Sequence, residues 1–310
     1  MKERLADLGY AAGWRLVRLL PAGAAAALFD RGADWAARRG GAGVRQLRAN
    51  LRRVVPRAGE AELDELVRLS VRSYARYWRE AFRLPSMDLA AVRASCDRTF
   101  TGVENLDAAL AAGNGAVLAL PHCGNWDMAG VWLVGRVGSF TTVAERLKPE
   151  SLYRRFIAFR EGLGFDVVPL TGGNRNPASV LGERLRANGT ICLLADRDLT
   201  AGGVPVTFFG EKAMMPAGPA HLAATTGAAL LPCGLWFTED GWTVRIHPPI
   251  RVAGAGGVVA ATQSMADVFA ADIAAHPTDW HMFQRLWLAD LPESRQRALR
   301  RVLARREGAE

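Results

Sequence analysis

Cysteine and histidine are scarce in this chain of 310 residues. The four cysteines, Cys96, Cys123, Cys192 and Cys233, lie far apart with no Cys-x-x-Cys pair. This spacing argues against a structural zinc site and is read as that of a reducing, cytosolic compartment. Cys192 and Cys233 fall in apolar runs and are expected to be buried thiols. Cys123 adjoins His122, but catalytic Cys/His pairs are normally assembled by the fold rather than by adjacency in sequence. The apolar stretch 16–29 contains Arg18 and is broken by Pro21 and Gly23, so neither a secretory signal nor a spanning helix is expected there. Internal repeats and long linkers are missing. So are helix-turn-helix, RNA-binding and zinc-finger signatures, and no nucleic-acid partner is expected. No carboxylate cluster has the spacing of a divalent metal site, so no metal is expected.

Acidic residues are also the minority. Thirty-one Asp and Glu face 39 Lys and Arg, mostly Arg, for a net charge of +8. A basic balance suits nucleic acid, an anionic membrane surface or phosphorylated substrates, and composition alone does not choose. With 50% hydrophobic and 23% charged residues the composition is globular.

The expected architecture is a single α/β domain over 1–310. Residues 1–100 are expected to form a helical part, 101–290 an α/β core, and 291–310 a basic tail. Leu5, Leu8, Ala12, Leu16 and Leu19 recur at helical spacing beside Arg4, Arg15 and Arg18. They form either a packed amphipathic helix or an interfacial one. Helices are expected over 44–55 and 60–82, with Arg72, Arg76 and Arg79 on a solvated face. After Phe100 the pattern alternates. Strands are expected over 115–121, 139–144, 166–170, 190–195, 204–209, 229–237 and 242–247. Helices are expected over 150–163, 177–188, 217–226 and 258–275. Such alternation predicts a central, mostly parallel or mixed sheet flanked by helices.

The chemistry concentrates at two strand ends. The first is Pro121-His122-Cys123-Gly124-Asn125-Trp126-Asp127. Asn125 is a candidate N-cap, and Asp127 falls in the first helical turn, where the helix dipole favours a carboxylate. A turn could fold His122 back onto Asp127, leaving one ring nitrogen free to take a proton. The second is Asp196-Arg197-Asp198, where a carboxylate could assist His122 and where Asp198 and Arg197 could pair with each other. The segment 208–220 is expected to be a turn leading into a helix, with its backbone N–H groups and Lys212 open to a phosphate. The alternative is a surface turn with Phe208 and Phe209 in the core.

The order His122-Cys123-Gly124-Asn125-Trp126-Asp127, Glu145-Arg146, Asp196-Arg197-Asp198, Phe208-Phe209-Gly210, Asp279-Trp280-His281 and Arg285-Leu286-Trp287 resembles the bacterial lipid A late acyltransferases. This family sits within the lysophospholipid-acyltransferase-like superfamily. The resemblance covers nearly the whole domain and is closest to the actinobacterial branch acting on phosphatidylinositol mannosides. It implies peripheral attachment to the cytoplasmic face of the plasma (inner) membrane. It implies transfer of a long acyl chain, palmitoyl, from acyl-CoA as co-substrate to a mannose hydroxyl, with no further cofactor. It carries His122 over as general base, with Asp127 and Asp196 as candidate carboxylate partners. Asn125, Glu145, Arg160, Arg197 and Asp198 are the implied substrate-binding residues. The family's second acidic position is more readily glutamate, so direct contact of the shorter Asp196 with His122 is an open point. Alternatives are another glycolipid served by acyl carrier protein, a hydrolase, or a non-catalytic lipid binder.

Overall fold

The computed structural model describes residues 13–146, 149–198, 202–239, 241–297 and 299. Leu5 and Leu8 of the expected amphipathic helix, and the tail beyond residue 299, lie outside the described residues. A first helix, α1, is described over 13–19. Pro21 separates it from α2 (Ala22–Arg39), standing where a missing N–H costs nothing. Gly23 interrupts nothing: it falls in the first turn of α2. Two amphipathic helices follow, α3 (Ala42–Val54) and α4 (Glu60–Arg83). Leu47 and Leu51 of α3, Leu63, Val67 and Val71 of α4 and Ala33 of α2 form a small apolar core of their own.

The arginine face expected on α4 is not simply solvated. The Arg72 guanidinium donates to Asp34 of α2 at 2.7 Å. Arg76 donates to Glu80 and to the carbonyls of Thr238 and Gly241. These arginines tie the helical layer together and to the sheet, which a charge pattern along one helix cannot reveal.

After α5 (Leu89–Asp97) and α6 (Val103–Ala111) comes the buried strand β1 (Ala116–Leu120). The α/β region then runs α7 (Trp126–Val137), β2 (Phe140–Ala144), α8 (Glu150–Glu161), β3 (Phe165–Pro169), α9 (Pro177–Arg186) and β4 (Thr190–Leu194). It continues with β5 (Val204–Phe208), β6 (Glu211–Met215), α10 (Gly218–Thr226), β7 (Ala229–Phe237), β8 (Trp242–Ile246) and α11 (Val258–Ala275). The main sheet has the order β3-β2-β4-β1-β7-β8. Its neighbours pair in parallel except at the β7–β8 edge. Helix α11 is long and apolar enough to cross a membrane, yet it packs against β5 and β7 with Met265, Phe269 and Ile273 buried.

One expectation fails. Part of 208–220 is a strand: β6 pairs antiparallel with β5 in a separate hairpin. The connecting residues Phe209 and Gly210 both have positive φ, at 49° and 77°. Both signs are required by the two-residue turn that matches strand twist. Lys212 is registered opposite Thr207 on that hairpin rather than at a helix start. Phe208 is buried beneath it.

Candidate active site

The sheet register assembles the site. Strands β1 and β4 lie side by side in parallel with Leu120 opposite Leu194. Two residues past each end stand His122 and Asp196. The imidazole Nδ1 lies 2.5 Å from Asp196 Oδ1, and the backbone N–H of His122 donates to Oδ2 at 2.9 Å. The indole of Trp280 donates to the same Oδ2 at 3.0 Å. Asp196 is fully buried, whereas the His122 side chain keeps 22% of its surface exposed. Burial raises the Asp196 pKa, but the charge of His122 and these donated hydrogen bonds outweigh it, so the carboxyl is held below its ordinary range. An ionised Asp196 accepting from Nδ1–H orients the ring and leaves Nε2 as the proton-accepting nitrogen.

Asp127 is placed elsewhere. Asn125 caps α7, its Oδ1 accepting from the Met128 N–H, and Asp127 sits in the first turn as expected. Its carboxylate, 1% exposed, accepts from Arg160 Nε at 2.9 Å and from the Tyr77 hydroxyl at 3.0 Å. It makes no hydrogen bond to His122 among the described residues. The reason is geometric: α7 starts between the two residues and turns Asp127 inward, while the end of β4 already supplies a partner. Burial disfavours the charged form of Arg160, but the adjacent Asp127 more than compensates and keeps it protonated. Burial, then the Asp127 charge, pushes the Tyr77 hydroxyl well above its ordinary range, so it remains a donor.

The other implied residues divide. Asn125 also donates to the buried Glu80, which accepts from Trp242 Nε1 as well. Glu145 is half-exposed and lies 3.5 Å from Arg197, so the Arg197 partner the structure shows is Glu145. Asp198 accepts from the Gly203 N–H and shapes its own loop. Burial pushes the Cys123 thiol well above its ordinary range, which disfavours a thiolate nucleophile.

Residues 279–281 close the site from behind. Cys123 and Trp280 form an antiparallel bridge, His281 N–H donates to the His122 carbonyl, and Gly124 N–H donates to that of Asp279. Gly124 has φ 54°, and a Cβ there would meet Trp236 N at 3.0 Å. Turn and β7 can therefore approach this closely only through glycine. The Ser73 hydroxyl contacts Asp279 Oδ1 at 2.6 Å and His281 Nε2 at 2.9 Å. Burial, then the proximity of His122, lowers the His281 pKa to about 3, so this ring is neutral. Tyr77, Ser73, Trp280 and His281 were not legible as site residues. For Trp280 and His281 the one sequence signal was the polar and aromatic run 279–281.

Beside His122 an apolar cavity enters between α7 and the sheet. It holds about 680 Å³ of empty space, its open mouth included. Trp126, Asp127 and Arg160 line it together with deeper residues such as Trp132, Phe165 and Ile246. Cys192, half-buried, and Cys233 also face it.

Comparison with known proteins fits this geometry. Residues 3–289 match the family described as bacterial lipid A biosynthesis acyltransferase. The phosphatidylinositol mannoside acyltransferase of Mycolicibacterium smegmatis is 58% identical over 296 residues, 96% of each chain. The protein of the same name from Mycobacterium tuberculosis is 58% identical over 294 residues, covering 95% of this chain and 92% of its own.

Proposed function

The chain belongs to the bacterial lipid A biosynthesis acyltransferase family, and from that premise we propose that it moves a long acyl chain from acyl-CoA to a mannose hydroxyl of phosphatidylinositol mannoside. The observation that carries the chemistry is the short His122–Asp196 contact at adjacent strand ends. The acceptor hydroxyl gives its proton to His122 Nε2 as its oxygen attacks the thioester carbonyl. The tetrahedral intermediate then collapses, the C–S bond breaks, and the thiolate leaves, taking the proton from His122. No acyl-enzyme intervenes. Asp196 fixes the tautomer and stabilises the imidazolium that forms. General-base assistance of this kind contributes about 10²- to 10⁴-fold.

The developing oxyanion needs preorganised donors. The Gly124 N–H is spent on the Asp279 carbonyl and does not serve. The Asn125 N–H and the Arg160 guanidinium remain. In this reading Asp127 is a positioning residue that holds Arg160 at the cavity mouth. The apolar cavity takes the acyl chain, palmitoyl in the preferred substrate.

Peripheral attachment to the cytoplasmic face of the plasma membrane is part of the proposal. It draws support from the exposed Leu16, Leu19, Leu28 and Trp35 on α1 and α2, with Arg39 stacked over Trp35. The test is thiol release from palmitoyl-CoA with and without phosphatidylinositol mannoside. Acceptor-dependent release supports transfer, and equal release without acceptor makes the protein a thioesterase instead.

A further inference from the structure

A second concavity is lined by Arg197 and Asp198, the two residues that follow Asp196. This groove holds about 1280 Å³ of empty space, its open mouth included. Three guanidinium groups, those of Arg197, Arg285 and Arg295, reach its lining, and Asp198 is the one acid there among the described residues. That carboxylate is already engaged by the Gly203 N–H. Arg285 and Arg295 are exposed and make no ion pair among the described residues. The Nε of Arg197 is buried without a hydrogen-bond partner, which leaves a donor to be satisfied. Ala42 and Gly43 bring the first turn of α3 to the same wall. Gly41 caps that helix with no side-chain acceptor, and no acidic residue lies in its first turn. Helix-start N–H groups and converging guanidinium groups recognise the same chemistry, phosphate oxygen.

We propose that this groove binds the phosphate ester of a substrate and thereby holds that substrate in register with His122. The inference rests on the acyl-transfer reading for the identity of the substrate. Two sources present this chemistry: the phosphates of coenzyme A and the phosphodiester of the inositol headgroup. Arg197 follows Asp196 directly, so the groove begins one residue from the base pair. The apolar cavity begins on the Asp127 and Arg160 side. A substrate with both an apolar and an anionic end therefore has a place for each.

Equilibrium binding tests this without any turnover. The probes are coenzyme A against pantetheine, and glycerophosphoinositol against inositol. Each is titrated into the full chain and into the double variant Arg285→Ala, Arg295→Ala. Both positions are exposed, and an unchanged melting temperature confirms that the variant folds. At least one phosphate-bearing probe should bind roughly tenfold or more tighter than its phosphate-free counterpart, and the double variant should lose that margin. Loss for coenzyme A alone assigns the groove to the donor. Loss for glycerophosphoinositol alone assigns it to the acceptor. The proposal is overturned if neither phosphate improves binding, or if the improvement survives in the double variant. His122→Ala should retain the phosphate-dependent binding, which separates failure of this inference from failure of the proposed reaction.

Discussion

At the residue scale, the decisive assignment is which carboxylate serves His122. Sequence spacing offered Asp127 and Asp196, and the structure puts Asp196 in contact because adjacent parallel strands end in register. Asp196→Asn keeps the size of the side chain but removes the charge that fixes the imidazole tautomer. Acyl transfer should fall by 10²-fold or more, up to roughly 10⁴, with the melting temperature little changed. Steady-state thiol release checks this, and turnover within a few-fold of the parent would remove Asp196 from the mechanism. Asp127 behaves differently. Arg160→Ala leaves its buried carboxylate without its ion-pair partner, at a cost of about 3–5 kcal/mol. Denaturant unfolding should show that loss in Arg160→Ala, and its absence would mean that the pair does not hold the site together.

At the scale of elements, the proposal makes α7 and the cavity beneath it the part that selects the acyl chain. Gly130 is a helical position with no room beside it: a Cβ there would meet the Phe165 ring at 2.4 Å, and both residues line the cavity. Gly130→Ala must displace Phe165, at about 1–3 kcal/mol for overpacking. The preferred acyl-CoA should become shorter, measured as kcat/KM across a chain-length series. An unchanged optimum would place the acyl chain elsewhere. Helices α1 and α2 carry the membrane part of the proposal. Removing two exposed apolar side chains with Leu28→Ser and Trp35→Ser should weaken binding to anionic vesicles by about tenfold or more, since each such side chain contributes roughly 1.5–3 kcal/mol on burial.

Element by element, the sequence was readable wherever one local signal decided the outcome. The uncharged run of β1 and the pattern of α11 specify those elements almost to their ends, and the Asn125 cap marks where α7 starts. Strand β6 was missed because Glu-Lys-Ala-Met-Met has little β-propensity and is held by its pairing with β5. Tyr77 and Trp280 were missed because their roles arise only when α4 and residues 279–281 close over the β1 turn. No spacing within one segment encodes that meeting.

At the scale of the whole molecule, a helical layer and a parallel sheet trap polar groups between them, and pH should reveal it. His281 sits in that seam with its pKa lowered to about 3 by burial and by the proximity of His122. The unfolded chain takes up a proton near the ordinary histidine value of 6.5, which the folded chain refuses until about pH 3. More protons are therefore bound unfolded than folded across that window, so stability is complete above it and is lost as pH falls through it. The loss is on the order of a few kcal/mol. In His281→Gln the slope of melting temperature against pH between 6.5 and 4 should flatten, even though the variant starts less stable. An unchanged slope would assign the acid sensitivity to other groups. The same seam couples the His122 turn to the rest of the fold, because residues 279–281 bond to the backbone on both sides of Cys123.

The most direct test of the whole account is transfer of radiolabelled palmitate from palmitoyl-CoA to phosphatidylinositol mannoside, compared between the parent chain and His122→Ala at equal, verified folding. The account predicts robust acceptor-dependent product from the parent and a loss of about 10²-fold or more in the variant. Product formed by His122→Ala at the parent's rate would contradict it.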